Sequence, residues 1–79
     1  MTDTSQKILD LFTKQDKTKP GMVVISSEIT SAAKKWGHNH FERLQEAMEE
    51  LRNESYVVIT PSHSLELTEK GYNYLFKDV

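Results

Sequence analysis

The chain has 79 residues, no cysteine and a formal net charge of −2, with a pI near 5.9. This length suits one domain over residues 1–79 with a small core. The missing cysteines exclude disulfides, thiolate metal sites and a cysteine nucleophile. With no signal peptide in the polar residues 1–7 and no apolar run long enough to span a membrane, we expect a cytoplasmic protein.

The first predicted element is a helix capped by Thr4 or Ser5, whose hydroxyl can accept from the free amides of the first turn. Its apolar residues form a broad face that ends before Asp16. These residues are Ile8, Leu9, Leu11 and Phe12. A turn over residues 17–21 follows, with Pro20 and Gly21 as turn formers. Residues 22–25 are apolar and β-branched, which predicts a short strand.

A second helix is predicted after Ser26 or Ser27 as the cap, and it ends at Gly37. Its apolar residues follow helical spacing and define one core face, with Trp36 expected in the core. They are Ile29, Ala32, Ala33 and Trp36. Asn39 with Glu42 three residues later predicts the capping box of a third helix that ends near Asn53. The inward residues of this third helix are Phe41, Leu44, Met48 and Leu51.

The last third of the chain predicts a hairpin followed by a helix. Residues 56–60 form one strand, residues 61–64 a tight turn, and residues 65–67 the returning strand. Thr68 caps the final helix. Its inward residues are predicted to be Tyr72, Leu75, Phe76 and Val79. The expected fold class is therefore α+β, with a three-helix core, a β-hairpin and a final helix.

This order of elements resembles the winged helix-turn-helix superfamily, in particular its small bacterial and archaeal regulators. The likeness spans about residues 6–76. It rests on Ser27-Glu-Ile29, Trp36-Gly37, the run 44–51 followed by Tyr56-Val57, and above all Leu65-Glu-Leu-Thr-Glu-Lys-Gly-Tyr72. One departure is Ser55, which stands before the hairpin where these proteins usually carry glycine. The resemblance implies a third helix that enters the major groove of DNA and a hairpin wing beside it, although some members bind only protein.

Charge is divided unevenly along the chain. Residues 1–37 contain six lysines and four acids, a balance of +2, whereas residues 38–79 contain four cations and eight acids, a balance of −4. Much of the acid falls on the outward face predicted for the third helix. That face consists of Asn39, Glu42, Arg43, Glu46, Glu49, Glu50 and Asn53. Because DNA affinity depends on cations that neutralise phosphates, this acidic face opposes the expectation from the resemblance.

The leading hypothesis is a transcriptional regulator that binds double-stranded DNA through the corner between the second and third helices. Lys34 and Lys35 would contact phosphates, Asn39 adenine and Arg43 guanine. His40 would touch phosphate, and His38 completes the predicted contact set. The competing interpretations are solvated helix ends for the two lysines and a purely structural cap for Asn39.

The alternative hypothesis is a protein-interaction module whose acidic third helix meets a basic protein partner. A homodimer through Leu9 and Tyr74 is a further expectation. Tyr74 points outward in the predicted last helix, Leu9 sits off the main line of the apolar face of the first helix, and related proteins pair through their first and last helices. His38, His40 and His63 are too weak a pattern to predict a metal. The chain has no nucleophile elbow, phosphate loop or desolvated carboxylate pair, so we expect neither an enzyme nor a cofactor.

Overall fold

The structure, a computed structural model, describes residues 2–13 and 18–76. Within them the chain forms a small α+β domain with five helices and a three-stranded antiparallel sheet. The helices are α1 (Asp3–Thr13), α2 (Ser26–Trp36), α3 (His38–Glu42), α4 (Leu44–Asn53) and α5 (Glu69–Leu75). The strands are β1 (Val23–Val24), β2 (Val57–Ile59) and β3 (Leu65–Leu67). No helix in the described part of the chain is both long enough and apolar enough to cross a bilayer.

The start of α1 differs from the prediction of a cap at Thr4 or Ser5. The Ser5 amide donates to Oγ1 of Thr2, 3.2 Å away, so Thr2 occupies the capping position. Thr4 and Ser5 are instead buried, and the Ser5 hydroxyl donates to the carbonyl of Ala47 in α4 at 3.3 Å. The Ser5 hydroxyl therefore joins α1 to α4. The predicted end of the helix at Asp16 lies outside the described residues, and α1 ends at Thr13.

Helix α2 begins at Ser26 without a side-chain cap, so the predicted capping role of Ser26 or Ser27 is wrong. The residue before the helix is Ile25, and the Ser26 amide donates to Oγ of Ser64 at 3.2 Å. A hydroxyl from the hairpin turn thus satisfies an amide at the start of α2. The helix ends, as predicted, at Gly37, whose φ of 118° lies in the left-handed region that glycine tolerates.

The predicted third helix is two helices, because the backbone breaks at Arg43 (φ −92°, ψ 4°). The Arg43 amide donates to the carbonyl of His40 at 3.2 Å, which closes α3 with a tight turn. This break overturns the predicted inward position of Phe41, which is 39% exposed. The core face of α4 begins instead at half-buried Leu44. It continues through buried Ala47, Met48 and Leu51.

The predicted capping box of Asn39 and Glu42 is also wrong. The flanking position before α3 is Gly37, two residues before the predicted cap, and the helix starts at His38, so Asn39 lies inside the helix. The Glu42 carboxylate accepts from Nε2 of His38, one turn earlier, at 2.9 Å when the imidazole carries that proton. Two exposed side chains are thereby paired on the surface of α3.

The sheet has the order β1-β3-β2, with all neighbours antiparallel. The predicted hairpin is confirmed, since Val57 faces Leu67 and Ile59 faces Leu65. Strand β1 pairs on the other side of β3, where Val24 faces Leu65. Val24, Leu65 and Leu67 are buried and face the helices, as alternation along a strand requires.

Helix α5 is fixed to the sheet by Thr68, the predicted cap. The Thr68 hydroxyl accepts from the Gly71 amide at 2.9 Å and lies 2.6 Å from the Ser55 carbonyl, to which it donates. Ser55 has a φ of 65°, the left-handed conformation for which glycine is favoured, so a serine occupies a position whose backbone suits glycine. Gly71 lies directly against the backbone of Tyr56.

Two residues expected on a dimer surface lie elsewhere. Leu9 is fully buried within the core, so its predicted place on a dimer surface is wrong. Tyr74 is half-buried, its ring stacked on that of Tyr56 with centroids 4.6 Å apart, and its hydroxyl lies 3.5 Å from Oε1 of Gln6. The face of α5 that carries Tyr74 therefore packs against the molecule itself. Tyr72, Leu75 and Phe76 are half-buried, and Val79 lies outside the described residues.

Candidate nucleic-acid interface

The corner where α2 meets α3 gathers several of the predicted contact residues. Lys34 and Lys35 are exposed in the last turn of α2, and Gly37 then redirects the chain into α3. An open groove of about 270 Å³ lies here, lined by Lys34, Gly37, His38 and Phe41. The exposed lysines at this corner are free to meet an anion approaching from solvent.

Asn39 and Arg43 lie on the same connection, and both side chains are exposed. Asn39 is in the first turn of α3, whereas Arg43 occupies the break between α3 and α4. Five of the six predicted contact residues are therefore exposed, and they lie on one stretch of ten residues. They are Lys34, Lys35, His38, Asn39 and Arg43.

His40, the sixth predicted residue, is half-buried between α3 and α1. Its Nδ1 is 2.8 Å from Oγ1 of Thr4, and its ring meets that of Trp36 edge-on at 6.4 Å. Trp36 is half-buried and packs against the core, with the Lys7 ammonium 5.9 Å from its ring centroid. The imidazole thus helps hold α3 against α1, and a contact to phosphate would have to use Nε2.

The glutamates predicted on the outward face divide into two groups. Glu42 on α3 and both Glu46 and Glu49 on α4 are exposed. Glu50 turns towards α1, where its Oε1 accepts from the Thr2 amide at 3.0 Å, so its predicted outward position is wrong. This hydrogen bond, followed by one from the Ser5 side chain, lowers the pKa of Glu50. Glu50 holds the start of α1 in place, and its negative charge there also interacts favourably with the helix dipole.

The hairpin turn is built from hydroxyls. The Ser64 amide donates to Oγ1 of Thr60 at 3.0 Å, and that oxygen lies 3.0 Å from Oγ of Ser62. Ser62 in turn donates to the buried hydroxyl of Ser64 at 3.3 Å. These contacts fix a compact turn in which His63 takes a φ of 64°.

His63 lies beside the helices, at a second open groove of about 270 Å³. The polar residues that line this groove with His63 are Ser26, Thr30 and Gln45. Neither Thr30 nor Gln45 was among the predicted site residues. For Gln45 the reason is that a continuous third helix does not place it at a helix start. The break at Arg43 instead makes Gln45 a first-turn residue of α4.

The three histidines do not converge on one point. His38 lines the groove at the α2–α3 corner, His40 contacts α1, and His63 lines the groove beside the hairpin turn. Within residues 2–13 and 18–76, no three His, Cys, Asp or Glu side chains are grouped so that they could hold a metal ion.

Comparison with known proteins gives no match: no family model, no curated protein and no solved structure is significantly similar to this chain. The chain's own geometry and surface chemistry are therefore the basis for any functional assignment.

Proposed function

We propose that this chain is a cytoplasmic, non-enzymatic winged helix-turn-helix protein that binds double-stranded DNA and regulates transcription. The order of elements supports this proposal: α1, β1 and α2 precede a second helical segment, and the β2–β3 hairpin follows it. In this interpretation α2, Gly37 and α3–α4 form the helix-turn-helix, and residues 60–64 form the tip of the wing.

One observation carries the proposal, the set of exposed cations and amide at the α2–α3 corner. Lys34 and Lys35 would neutralise phosphates, because their ammonium groups extend from the end of α2 into solvent. Asn39 and Arg43 have the donor and acceptor patterns that match adenine and guanine in the major groove. His40 would add a phosphate contact through Nε2.

The same surface limits the strength of binding. With Lys34 and Lys35 as phosphate contacts, the affinity should fall by about 12-fold between about 50 and 200 mM salt, since each contact contributes about 0.9 to the logarithmic slope. The exposed carboxylates of Glu46 and Glu49 on α4 repel phosphate and keep the affinity moderate.

Fluorescence anisotropy of a labelled mixed-sequence duplex at these two salt concentrations tests the proposal. Arg43→Ala and Lys34→Ala should each weaken binding, the latter on all sequences alike. Lys19→Ala is the matched control, because it removes one exposed lysine from the turn before β1. If the duplex fails to bind at the lower salt, or if both variants bind like the parent, the proposal is wrong.

A second candidate function is a protein-interaction module that meets a basic partner through α4. Two observations favour it: Glu46 and Glu49 are both exposed, and the wing turn 61–64 has no lysine or arginine. A labelled Lys/Arg-rich peptide should then bind the parent, and Glu46→Lys with Glu49→Lys should abolish its binding. Glu50 is left unchanged, because it holds the start of α1. A peptide that binds the double variant as it binds the parent would contradict this candidate.

A further inference from the structure

The exposed large apolar side chains in the described residues lie in two separate places. Val23, Ile25 and Val58 are 46%, 53% and 50% exposed and belong to the sheet or its direct extension, whereas Phe41, at 39%, lies at the α2–α3 corner. In so small a domain, apolar side chains grouped on one face indicate an interaction site. The question is what covers them.

The first place, here called the sheet patch, consists of Val23, Ile25, Val58 and Glu66. Glu66 of the central strand lies opposite Val23 on one side and opposite Val58 on the other. These three residues share the face of the sheet that points away from the helices, because their neighbours Val24, Leu65 and Val57 are buried on the other face. Ile25, two residues after Val23, extends this face. The patch is therefore apolar with one half-buried carboxylate at its centre.

The second place, here called the corner patch, consists of Lys34, His38 and Phe41. These side chains, together with Gly37, line the open groove of about 270 Å³ at the end of α2. The corner patch is therefore an apolar ring beside an ammonium group and an imidazole. The Glu42 carboxylate, 2.9 Å from Nε2 of His38, borders this patch, so Lys34 is the charge in the patch that is opposite to Glu66. Both patches present apolar surface to solvent.

From this complementarity we infer that the sheet patch of one copy binds the corner patch of a second copy of this chain, head to tail. The valines and Ile25 cover Phe41, and Glu66 pairs with Lys34. Contacts between identical patches are disfavoured, because they bring Glu66 against Glu66 or Lys34 against Lys34. A contact between two different patches repeats from copy to copy, so it produces closed rings or open chains instead of a two-fold dimer.

The association should be weak and reversible, because each patch offers only a few side chains and falls short of a standard interface of about 800 Å² per partner. The inference is independent of DNA binding, but the two are linked through Lys34. A duplex that engages Lys34 blocks the corner patch, so DNA and a second copy should compete for the same surface.

Sedimentation velocity over about a hundredfold range of protein concentration tests this contact. The weight-average sedimentation coefficient of the parent should rise with concentration. Glu66→Lys and Lys34→Glu should each remove that rise, and the double variant should restore it because the two charges are exchanged. The inference is overturned if the parent stays monomeric throughout, if either single variant associates like the parent, or if the double variant stays monomeric.

Two further variants distinguish this contact from an effect of net charge alone and test its apolar part. Lys19→Glu makes the same charge change as Lys34→Glu but outside both patches, and it should associate like the parent. Val58→Thr keeps a β-branched residue in β2 while it makes the patch polar, and it should weaken association at least severalfold. Should Glu66→Lys lose its folded circular dichroism signal, Glu66→Gln replaces it and should also weaken association. Unchanged association in Val58→Thr would overturn the inference.

Discussion

Gly71 is the position where one added methyl group should cost most, since it lies where α5 crosses the start of β2. A Cβ atom at this position would overlap the carbonyl oxygen of Tyr56 and come within 2.8 Å of Cδ1 of Leu67. The Tyr56 carbonyl also accepts from the amide of Thr68 at 3.1 Å, and it shares the proton of the Thr68 hydroxyl, 3.0 Å away, with the Ser55 carbonyl. A shift of α5 that relieves the overlap would therefore weaken both hydrogen bonds.

The magnitude follows from these contacts. Overpacking costs about 1–3 kcal/mol, and two weakened hydrogen bonds add about 0.5–1.5 kcal/mol each. Alanine returns about 1 kcal/mol through its better helix propensity. Gly71→Ala should therefore lower the free energy of unfolding by about 3 kcal/mol, out of a total of about 4–12 kcal/mol for a chain of this length.

Urea unfolding followed by far-UV circular dichroism measures this change. With a slope of about 1 kcal/mol per molar urea, the midpoint should fall by about 3 M. Asn73→Ala is the matched control, because Asn73 is exposed on the same helix and its replacement should leave the midpoint unchanged or slightly higher. A Gly71→Ala midpoint equal to that of the parent would refute the close packing of α5 on Tyr56.

Three other expectations concern local backbone, charge and packing. Ser55→Gly should raise the free energy of unfolding by about 0.5–1 kcal/mol, because it relieves the left-handed φ of 65°; an unchanged urea midpoint would contradict this. The lowered pKa of Glu50 adds stability above the ordinary value of 4.5, and this stability is lost as pH falls through the lower folded-state pKa. Glu50→Gln should accordingly flatten the loss of stability below about pH 4.5, and parallel pH curves for the two proteins would exclude this role. Leu51→Ala should cost about 2–5 kcal/mol, whereas Phe41→Ala, at a site that is 39% exposed, should cost about 1 kcal/mol or less; equal melting temperatures for these two variants would contradict the helix break.

The strands and the last helix were predictable because their signals are local. Residues 57–59 are β-branched, residues 65–67 alternate, and Thr68 caps α5 with the amide three residues later. Helix starts were harder to predict, because several neighbouring hydroxyls compete for each one. Thr2, Thr4 and Ser5 all offer the same chemistry, and only packing against α4 decides which of them is buried.

The break at Arg43 has no such local signal, since neither proline nor glycine stands near it in the sequence. A continuous helix therefore gave the correct inward positions for Leu44, Met48 and Leu51 but the wrong one for Phe41. Ala47, which was not among the predicted inward residues, completes the buried face of α4.

The exposure of the two lysines and Arg43 at the candidate interface followed from periodicity and charge. The roles of His40 and Glu50 did not, because their partners Thr4 and Thr2 lie 36 and 48 residues away in the chain. Contacts over such separations depend on the tertiary arrangement, which a single sequence does not encode in any local pattern.

The position of β3 at the centre of the sheet has a consequence for the order of events during synthesis. Both β1 and β2 pair only with β3 in the sheet, yet β3 is the last of the three strands to leave the ribosome. Until residues 65–67 emerge, Val24 and Val57 have no strand beside them on which to align. A nascent chain that stops short of Leu65 can form helical segments but no sheet, so the core closes in one late step. Proteases should therefore cleave such truncated chains far faster than chains that include β3.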